Sequence, residues 1–365
     1  MEEIHIAGSG IWYPEDLITN DEIVSSYNSY VDKFNDVNRD LISSGELNSL
    51  DHSSVEFIEK ASGIKTRHVV DKKNILDIDR MMPALKHEDE SKLSIQAIAG
   101  IEASKKAMKQ ANVTPDDIDA VILGTSHNAR YYPAVAIEIQ NELGIDGYAY
   151  DMLVGCSSTT FAINNAYSDI SSGLADTILV VNPEISTPAV NFGKRDIHFI
   201  FGDGCVASVI KKNSSSDKAF RVLDRKLMTQ FSNNIRSDWS YLARTATDHK
   251  TADDLIFNQN GNSVFKEVCP LVAKFILEQL DKNKIKPDEI SKFWLHQANA
   301  RMINLIVSKV IGTDDFDTSL APLPIEKFGN LASAGSMFAF NLNNDLKSGE
   351  KGIICSFGAG YSVCS

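Results

Sequence analysis

The sequence contains no apolar run of about 18 residues, the length a membrane helix needs, so no spanning segment is expected. Its first residues, Met1-Glu2-Glu3, are acidic where a secretory signal opens on a basic stretch. The expectation is a soluble, cytoplasmic protein. Cysteine is sparse and odd in number, five in 365 residues. A secreted disulfide scaffold carries a dense, even set, so these read as reduced thiols. Neither Cys-x-x-Cys nor His-Glu-x-x-His occurs, which removes the common zinc spacings. Basic residues are in deficit, 36 Lys+Arg against 49 Asp+Glu, for a formal charge of −13. So acidic a chain binds phosphate backbones poorly, and nucleic acid is not expected as its main partner. Gly8-Ser9-Gly10 lacks the third glycine and the context of a dinucleotide loop.

What is present fills a large core. The apolar share is 43%, and the length suits two units or one large fold. The clearest break is the polar run Lys211–Lys218, which divides the chain into parts 1–213 and 214–365. The two parts repeat each other. Thr114-Pro115-Asp116-Asp117-Ile118 leads into an apolar run as Lys286-Pro287-Asp288-Glu289-Ile290 does, 172 residues later. Each copy follows an amphipathic helical stretch and enters a predicted buried strand. Gly155-Cys156 and Gly329-Asn330 each open a helical stretch, at an offset of 174 between Cys156 and Asn330. These stretches are expected to run to Ser172-Gly173 and Ser348-Gly349, at an offset of 176, with the glycines as left-handed C-terminal caps. Three features in one order at a nearly constant offset predict a duplicated α/β fold. Residues 21–62 have no counterpart in the second half. Val24, Tyr27, Tyr30, Val31 and Phe34 recur there at helical spacing, which predicts an inserted helical layer. The charged segment 72–90 reads as a surface excursion.

Cys156 stands where an extended run meets Gly155 and small hydroxyl residues before a helix. Free N–H groups at a helix start favour thiolate, so Cys156 is the candidate nucleophile. Cys205, Cys269, Cys355 and Cys364 lie inside apolar runs and read as packing residues. A cysteine nucleophile wants a histidine. Of eight, His296 ends the second repeat's strand, which puts it at the same edge as Cys156. Asn330 holds the repeat position of Cys156; alone it reads equally as a helix N-cap. Phe357-Gly358-Ala359-Gly360 can aim backbone N–H groups at an oxyanion, or form a plain tight turn.

Together Gly155-Cys156, His296-Gln297-Ala298-Asn299, Gly329-Asn330 and Phe357-Gly358-Ala359-Gly360 resemble the ordered motifs of the β-ketoacyl-[acyl-carrier-protein] synthase III family. Phe201-Gly202-Asp203-Gly204 and Gly261-Asn262-Ser263-Val264-Phe265-Lys266 resemble further signatures of it. The similarity runs along nearly the whole chain. It implies the thiolase-like duplicated α/β fold, layered α-β-α-β-α, with pseudo-twofold related halves. It implies an acyltransferase with Cys156 as acyl acceptor, and with His296 and Asn330 serving decarboxylative condensation. The backbone of Cys156 and Ala359 would form the oxyanion hole. Phe57, Tyr132, Phe201, Gly358 and Gly360 fall at substrate-binding positions. Arg301, with Lys266 and Lys274, falls where an acyl carrier protein docks. No cofactor is implied, the substrates being acyl-CoA and malonyl-carrier protein, and the family is typically a homodimer.

Three departures are specific to this chain. The insert is longer than in acetyl-primed members. Phe57 and Ala61 stand where the family has Trp and Arg at the adenine site. Ala359 replaces the usual Gly. Acetyl priming and medium or longer acyl chains both stay open. So do a related thiolase-fold acyltransferase, a cysteine-dependent thioester hydrolase, and a non-catalytic partner subunit.

Overall fold

The computed structural model describes the chain except residues 1–2, 87–91, 215, 217, 249–250 and 252–254. His87, His249, Ser215, Asp217 and the end of the 72–90 segment therefore lie outside the described residues.

The repeat is written into the sheets. The first sheet is built from β1 (Ile4–Trp12), β4 (Ala120–Gly124), β5 (Tyr148–Met152), β6 (Thr177–Ile185), β7 (Asp203–Lys212) and β8 (Phe220–Arg221). Its order is β5-β4-β6-β7-β1-β8. The second is built from β9 (Leu227–Ser232), β12 (Ile290–Leu295), β13 (Lys351–Gly358) and β14 (Gly360–Cys364), in the order β12-β13-β14-β9. The parallel pair β4/β6 has its counterpart in β12/β13. The antiparallel steps β6/β7 and β7/β1 have theirs in β13/β14 and β14/β9. Strands of matching rank thus take matching places, and the first sheet adds β5 and β8 at its edges. Because β8 pairs with β1, the chain leaves the first sheet several residues after the 213/214 boundary.

Helices sort into layers by their apolar faces. α5 (Ile95–Ala111) and α6 (Val135–Leu143) cover one face of the first sheet, packing Ala97, Ile101 and Ile139 on Val121, Leu123 and Val181. α7 (Ser158–Ser171) and α11 (Gly335–Leu342) fill the space between the sheets. There Ala162, Ile170, Phe338 and Phe340 meet Ile122 and Ile178 from one side and Trp294 from the other. α8 (Gly261–Lys282) and α9 (Ala300–Ile311) close the far face, with Phe275, Ile303 and Ile306 on Phe293 and Leu295. That is the expected five-layer order.

Two expectations on the second half need correction. The stretch opened by Asn330 is a 3-10 turn, Ala332–Ala334, followed by α11, which ends at Leu342. Asn343-Asn344-Asp345 follows; such short polar side chains compete for backbone groups and stop a helix early. Gly349 has φ +89° but sits in the later turn, whereas Gly173, φ +78°, does follow the end of α7.

The insert forms α1 (Asn20–Val37), α2 (Arg39–Ser44) and α3 (Val55–Ser62). Thr19 and Glu22 make a capping box at the start of α1, satisfying N–H groups the helix cannot. Tyr27 and Val31 are buried under it. β2 (Leu17–Thr19) and β3 (Thr66–His68) pair beside this layer. The segment from 72 is less superficial than expected. α4 (Lys72–Ile75) buries Ile75, and Leu76 and Met81 pack on the same cluster. Its alternation of charge concealed these inward residues.

Candidate active site

The Cys156 turn is built by local hydrogen bonds. After β5 the chain reverses at Gly155, φ +52°. Ser157 N–H donates to the Val154 carbonyl at 3.2 Å and Ser158 N–H to the Gly155 carbonyl at 3.1 Å. Ser158 Oγ ties the turn to the end of β4 by donating to the Thr125 carbonyl at 2.9 Å. Cys156 thus precedes α7 with its side chain turned to the β13–β14 hairpin. A Cβ placed on Gly358 would lie 2.5 Å from the Cys156 Cβ and 3.1 Å from its Sγ. Gly358 is therefore a packing requirement of the nucleophile. Gly358→Ala should push Cys156 aside, costing about 1–3 kcal/mol of stability and most of the covalent acyl uptake. Intact-protein mass spectrometry checks this; full acyl uptake by a folded Gly358→Ala would contradict it.

The N–H groups of Ala359 and Cys156 both bear on the sulfur and favour its thiolate. Ala359 is not among the residues with positive φ, so alanine in place of glycine leaves that donor intact. The expected thiolate is nonetheless overruled. Burial, with the nearby Glu184 charge, pushes the Cys156 thiol up to about 12. Desolvation and a like charge outweigh the helix start and the two N–H groups.

His296 continues the β12 ladder, its N–H donating to the Cys355 carbonyl at 2.8 Å. It is 2% exposed, and its ring meets Phe357 edge-on at 5.3 Å. Burial holds its pKa down to about 4, with a smaller opposing influence from the Ala332 backbone. The ring is neutral at pH 7. Asn330 follows α10 (Ile325–Phe328) and Gly329, φ +72°. Its backbone is clamped by the 200–202 segment: Asn330 N–H donates to the Ile200 carbonyl at 2.8 Å, and its carbonyl accepts from Gly202 N–H at 3.2 Å. Its Oδ1 accepts from Ala332 N–H at 2.9 Å, leaving the amide NH₂ as the available donor.

Ala332 therefore joins the two halves of the site. Its N–H orients Asn330, and it lines the cavity that contains Cys156. It does so at φ +42°, a backbone state a non-glycine residue holds only where its surroundings impose it. The cavity measures about 90 Å³ and is also lined by Phe201, Ala359, Ser126 and His127. Ile235 and Arg236 of β10 (Ile235–Arg236), and Phe257 just before its partner β11 (Asn258–Gln259), roof it. A larger cleft of about 740 Å³ beside β8 is lined by none of Cys156, His296 or Asn330.

Other expected residues fall at various distances from this centre. Phe201 is a cavity wall, edge-on to Phe257 at 4.8 Å. Gly360, φ +131°, opens β14 outside the lining. Phe57 packs edge-on to Phe199, and the Arg195 guanidinium covers its ring at 3.9 Å. A flat base can reach that face only by displacing Arg195. Tyr132 is 85% exposed and lines no part of this chain's cavity. Arg301 is exposed in the first turn of α9, whose N–H groups Asn299 caps. Lys266 and Lys274 are exposed on α8, and Lys274 pairs with Glu278 at 3.8 Å. Sequence reasoning missed Ala332, His127, Arg195 and Glu184.

Two related turns, one carrying a thiol that lines the cavity and the other an amide just outside that lining, mark a condensing enzyme of the thiolase type. The chain belongs to the 3-oxoacyl-[acyl-carrier-protein] synthase III family, whose profile matches residues 150–230 and whose C-terminal profile matches residues 280–365. A β-ketodecanoyl-[acyl-carrier-protein] synthase of Pseudomonas aeruginosa is 44% identical over 345 residues, 94% of this chain and 98% of that protein. A β-ketoacyl-[acyl-carrier-protein] synthase III of Campylobacter jejuni is 28% identical over 337 residues, 88% of this chain and 91% of that protein. The crystal structure of 3-oxoacyl-[acyl-carrier-protein] synthase III from Aquifex aeolicus matches with a TM-score of 0.75 at 23% identity, over 99% of this chain and 98% of that one, which shows the fold. As a member of this family the chain is an acyltransferase of the ketosynthase type. Among the described residues no helix is long and apolar enough to cross a membrane.

Proposed function

We propose that this enzyme transfers an acyl group from acyl-CoA to Cys156 and condenses it with malonyl-carrier protein. The observation that supports the reading is Ala332, which lines the cavity of Cys156 and donates its N–H to Asn330 Oδ1. In the first step the Cys156 sulfur attacks the thioester carbonyl. The tetrahedral oxyanion is met by the N–H groups of Cys156 and Ala359, each worth roughly 3–4 kcal/mol of barrier in such sites. The CoA sulfur leaves and takes up the thiol proton, so no net base is consumed. In the second step malonyl-carrier protein enters. Neutral His296 and the Asn330 amide donate to its thioester oxygen. Its carboxylate departs as CO₂, and the enolate they stabilise attacks the acyl-Cys156 carbonyl. The 3-oxoacyl thioester leaves on the carrier protein, and the released sulfur is reprotonated. A thiol pushed up to about 12 favours that last proton uptake. The reaction requires no cofactor, and we place it in the cytoplasm.

A β-ketodecanoyl product, as in the name of the 44% identical relative, has ten carbons, and a condensation that adds two calls for an eight-carbon acyl donor. We extend that preference to this chain. Intact-protein mass spectrometry with acyl-CoAs of graded length tests it. Medium-chain donors should label Cys156 fastest; fastest labelling by acetyl-CoA would reverse the assignment. The reading includes a homodimer. Among the described residues β5 is an edge strand with one neighbour, and Leu153, the residue after it, is exposed. An unpaired edge flanked by apolar groups is a surface that needs covering. Tyr132 then serves the partner's acyl tunnel. Residues 1–213 and 214–365 are taken as the two thiolase-like halves, the nucleophile on the first.

Carrier proteins are acidic, and so is this chain, so docking needs a local basic patch. Arg301 leads it, beside the end of α3, where Asn299 Nδ2 donates to the Ala61 carbonyl. Lys266 and Lys274 extend it along α8. Arg301→Glu should raise KM for malonyl-carrier protein about tenfold, with acyl-CoA labelling of Cys156 unchanged. An unchanged KM would show the patch to be misplaced.

A further inference from the structure

A second carboxyl lies behind the reaction centre with no part in the steps above. Glu184, next to last in β6, is 1% exposed. Its Oε1 accepts from Ser126 N–H at 2.9 Å and Ser126 Oγ at 3.1 Å. The same oxygen accepts from Ser333 N–H at 3.1 Å and from Ser333 Oγ. Oε2 accepts from Thr125 Oγ1 at 3.3 Å. A carboxylate is buried at such depth only where donors replace water. Here the donors converge from two elements of the site. Ser126 lines the Cys156 cavity. Ser333 follows Ala332 directly, and its carbonyl accepts from Thr159 Oγ1 at 2.6 Å, in the first turn of α7. Ser333 is thus held by the helix that follows Cys156 on one side and by Glu184 on the other.

We propose that Glu184 is a positioning residue that, through Ser333 and Ser126, holds the His296–Asn330 side of the centre in register with the Cys156 turn. The inference rests on the condensing reading. Ala332 keeps φ +42° only if its neighbours fix it, and the two bonds from Ser333 to Glu184 do so one residue away. Without them Ala332 can relax, and Asn330 loses the N–H that orients its amide beside His296. The acylation step loses only the like charge that Glu184 sets against the Cys156 sulfur, so acyl uptake should be retained or quicken.

The test separates the half-reactions in single turnovers. Wild type, Glu184→Ala, Glu184→Gln and Ser333→Ala are compared for acyl uptake on Cys156 and for CO₂ release from malonyl-carrier protein. In Glu184→Ala, CO₂ release should fall about 10²-fold, the loss that a 1 Å misplacement brings. It should fall in kcat and not in KM, with acyl uptake retained. Glu184→Gln keeps an oxygen for the four bonds of Oε1 and should rescue CO₂ release. Ser333→Ala removes one of those bonds and should fall between, so the test stands even if Glu184→Ala fails to fold. Equal losses in both half-reactions, no loss in either, or no rescue by glutamine would overturn the proposal. A wild type that takes up acyl groups yet releases no CO₂ would instead overturn the condensing reading, and the wild-type arm registers that separately.

Discussion

Cys156→Ala should take up no acyl group covalently and should lose condensation by at least about 10³-fold, as enzymes do on losing a nucleophile. The other four cysteines cannot substitute. Cys205, Cys269, Cys355 and Cys364 are buried, and burial raises each thiol. Only Cys156 opens on the cavity at a turn with two N–H groups on its sulfur. The fold should survive, because alanine removes one atom at a site already partly open. Covalent acyl uptake by Cys156→Ala, read by intact-protein mass spectrometry, would remove the central assignment.

His296→Ala should behave in the opposite way. It should form the acyl-enzyme but slow CO₂ release from malonyl-carrier protein by roughly 10²–10³-fold, the loss typical of one oxyanion donor. Asn330→Ala should resemble it, since the proposed mechanism gives both donors the same thioester oxygen. The pH dependence carries a sign. Burial lowers the His296 pKa to about 4, so the ring stays neutral and CO₂ release should show no titration of it from about pH 5 to 8. Folding stability is linked to the same shift. As pH falls through the ordinary histidine value the unfolded chain binds a proton that the native ring refuses, and stability drops until about pH 4. A step in CO₂ release near pH 6.5 that vanishes in His296→Gln would show that the ring acts as a cation.

The duplication was legible because both copies begin with the same Pro-Asp-acid-Ile turn before a buried strand, and β4 and β12 do occupy equivalent places. Cys156, His296 and Asn330 could be singled out as candidates because each ends or begins an element. Other parts have no local signature. The two-residue strand β8 joins the first sheet through pairing with β1, more than 200 residues away in sequence. Arg195 covers Phe57 from a distant segment. The state of the Cys156 thiol is set by its burial and then by Glu184, the acid near the end of β6. Such a residue can be seen in the sequence, but its partners Ser126 and Ser333 are brought to it only by the fold. Ala332 looks like any small helix residue until its φ and its bond to Asn330 are known.

The most direct measurement is a single-turnover experiment on isolated acyl-enzyme. Wild type and His296→Ala are loaded with a medium-chain acyl-CoA, freed of CoA and mixed with malonyl-carrier protein. CO₂ and the 3-oxoacyl product are followed together. Wild type should release one CO₂ for each acyl group consumed and form product at the same rate, while acyl-His296→Ala should stay loaded. Loss of the acyl group as free acid, with no CO₂ and no dependence on malonyl-carrier protein, would instead identify a thioester hydrolase and contradict the account.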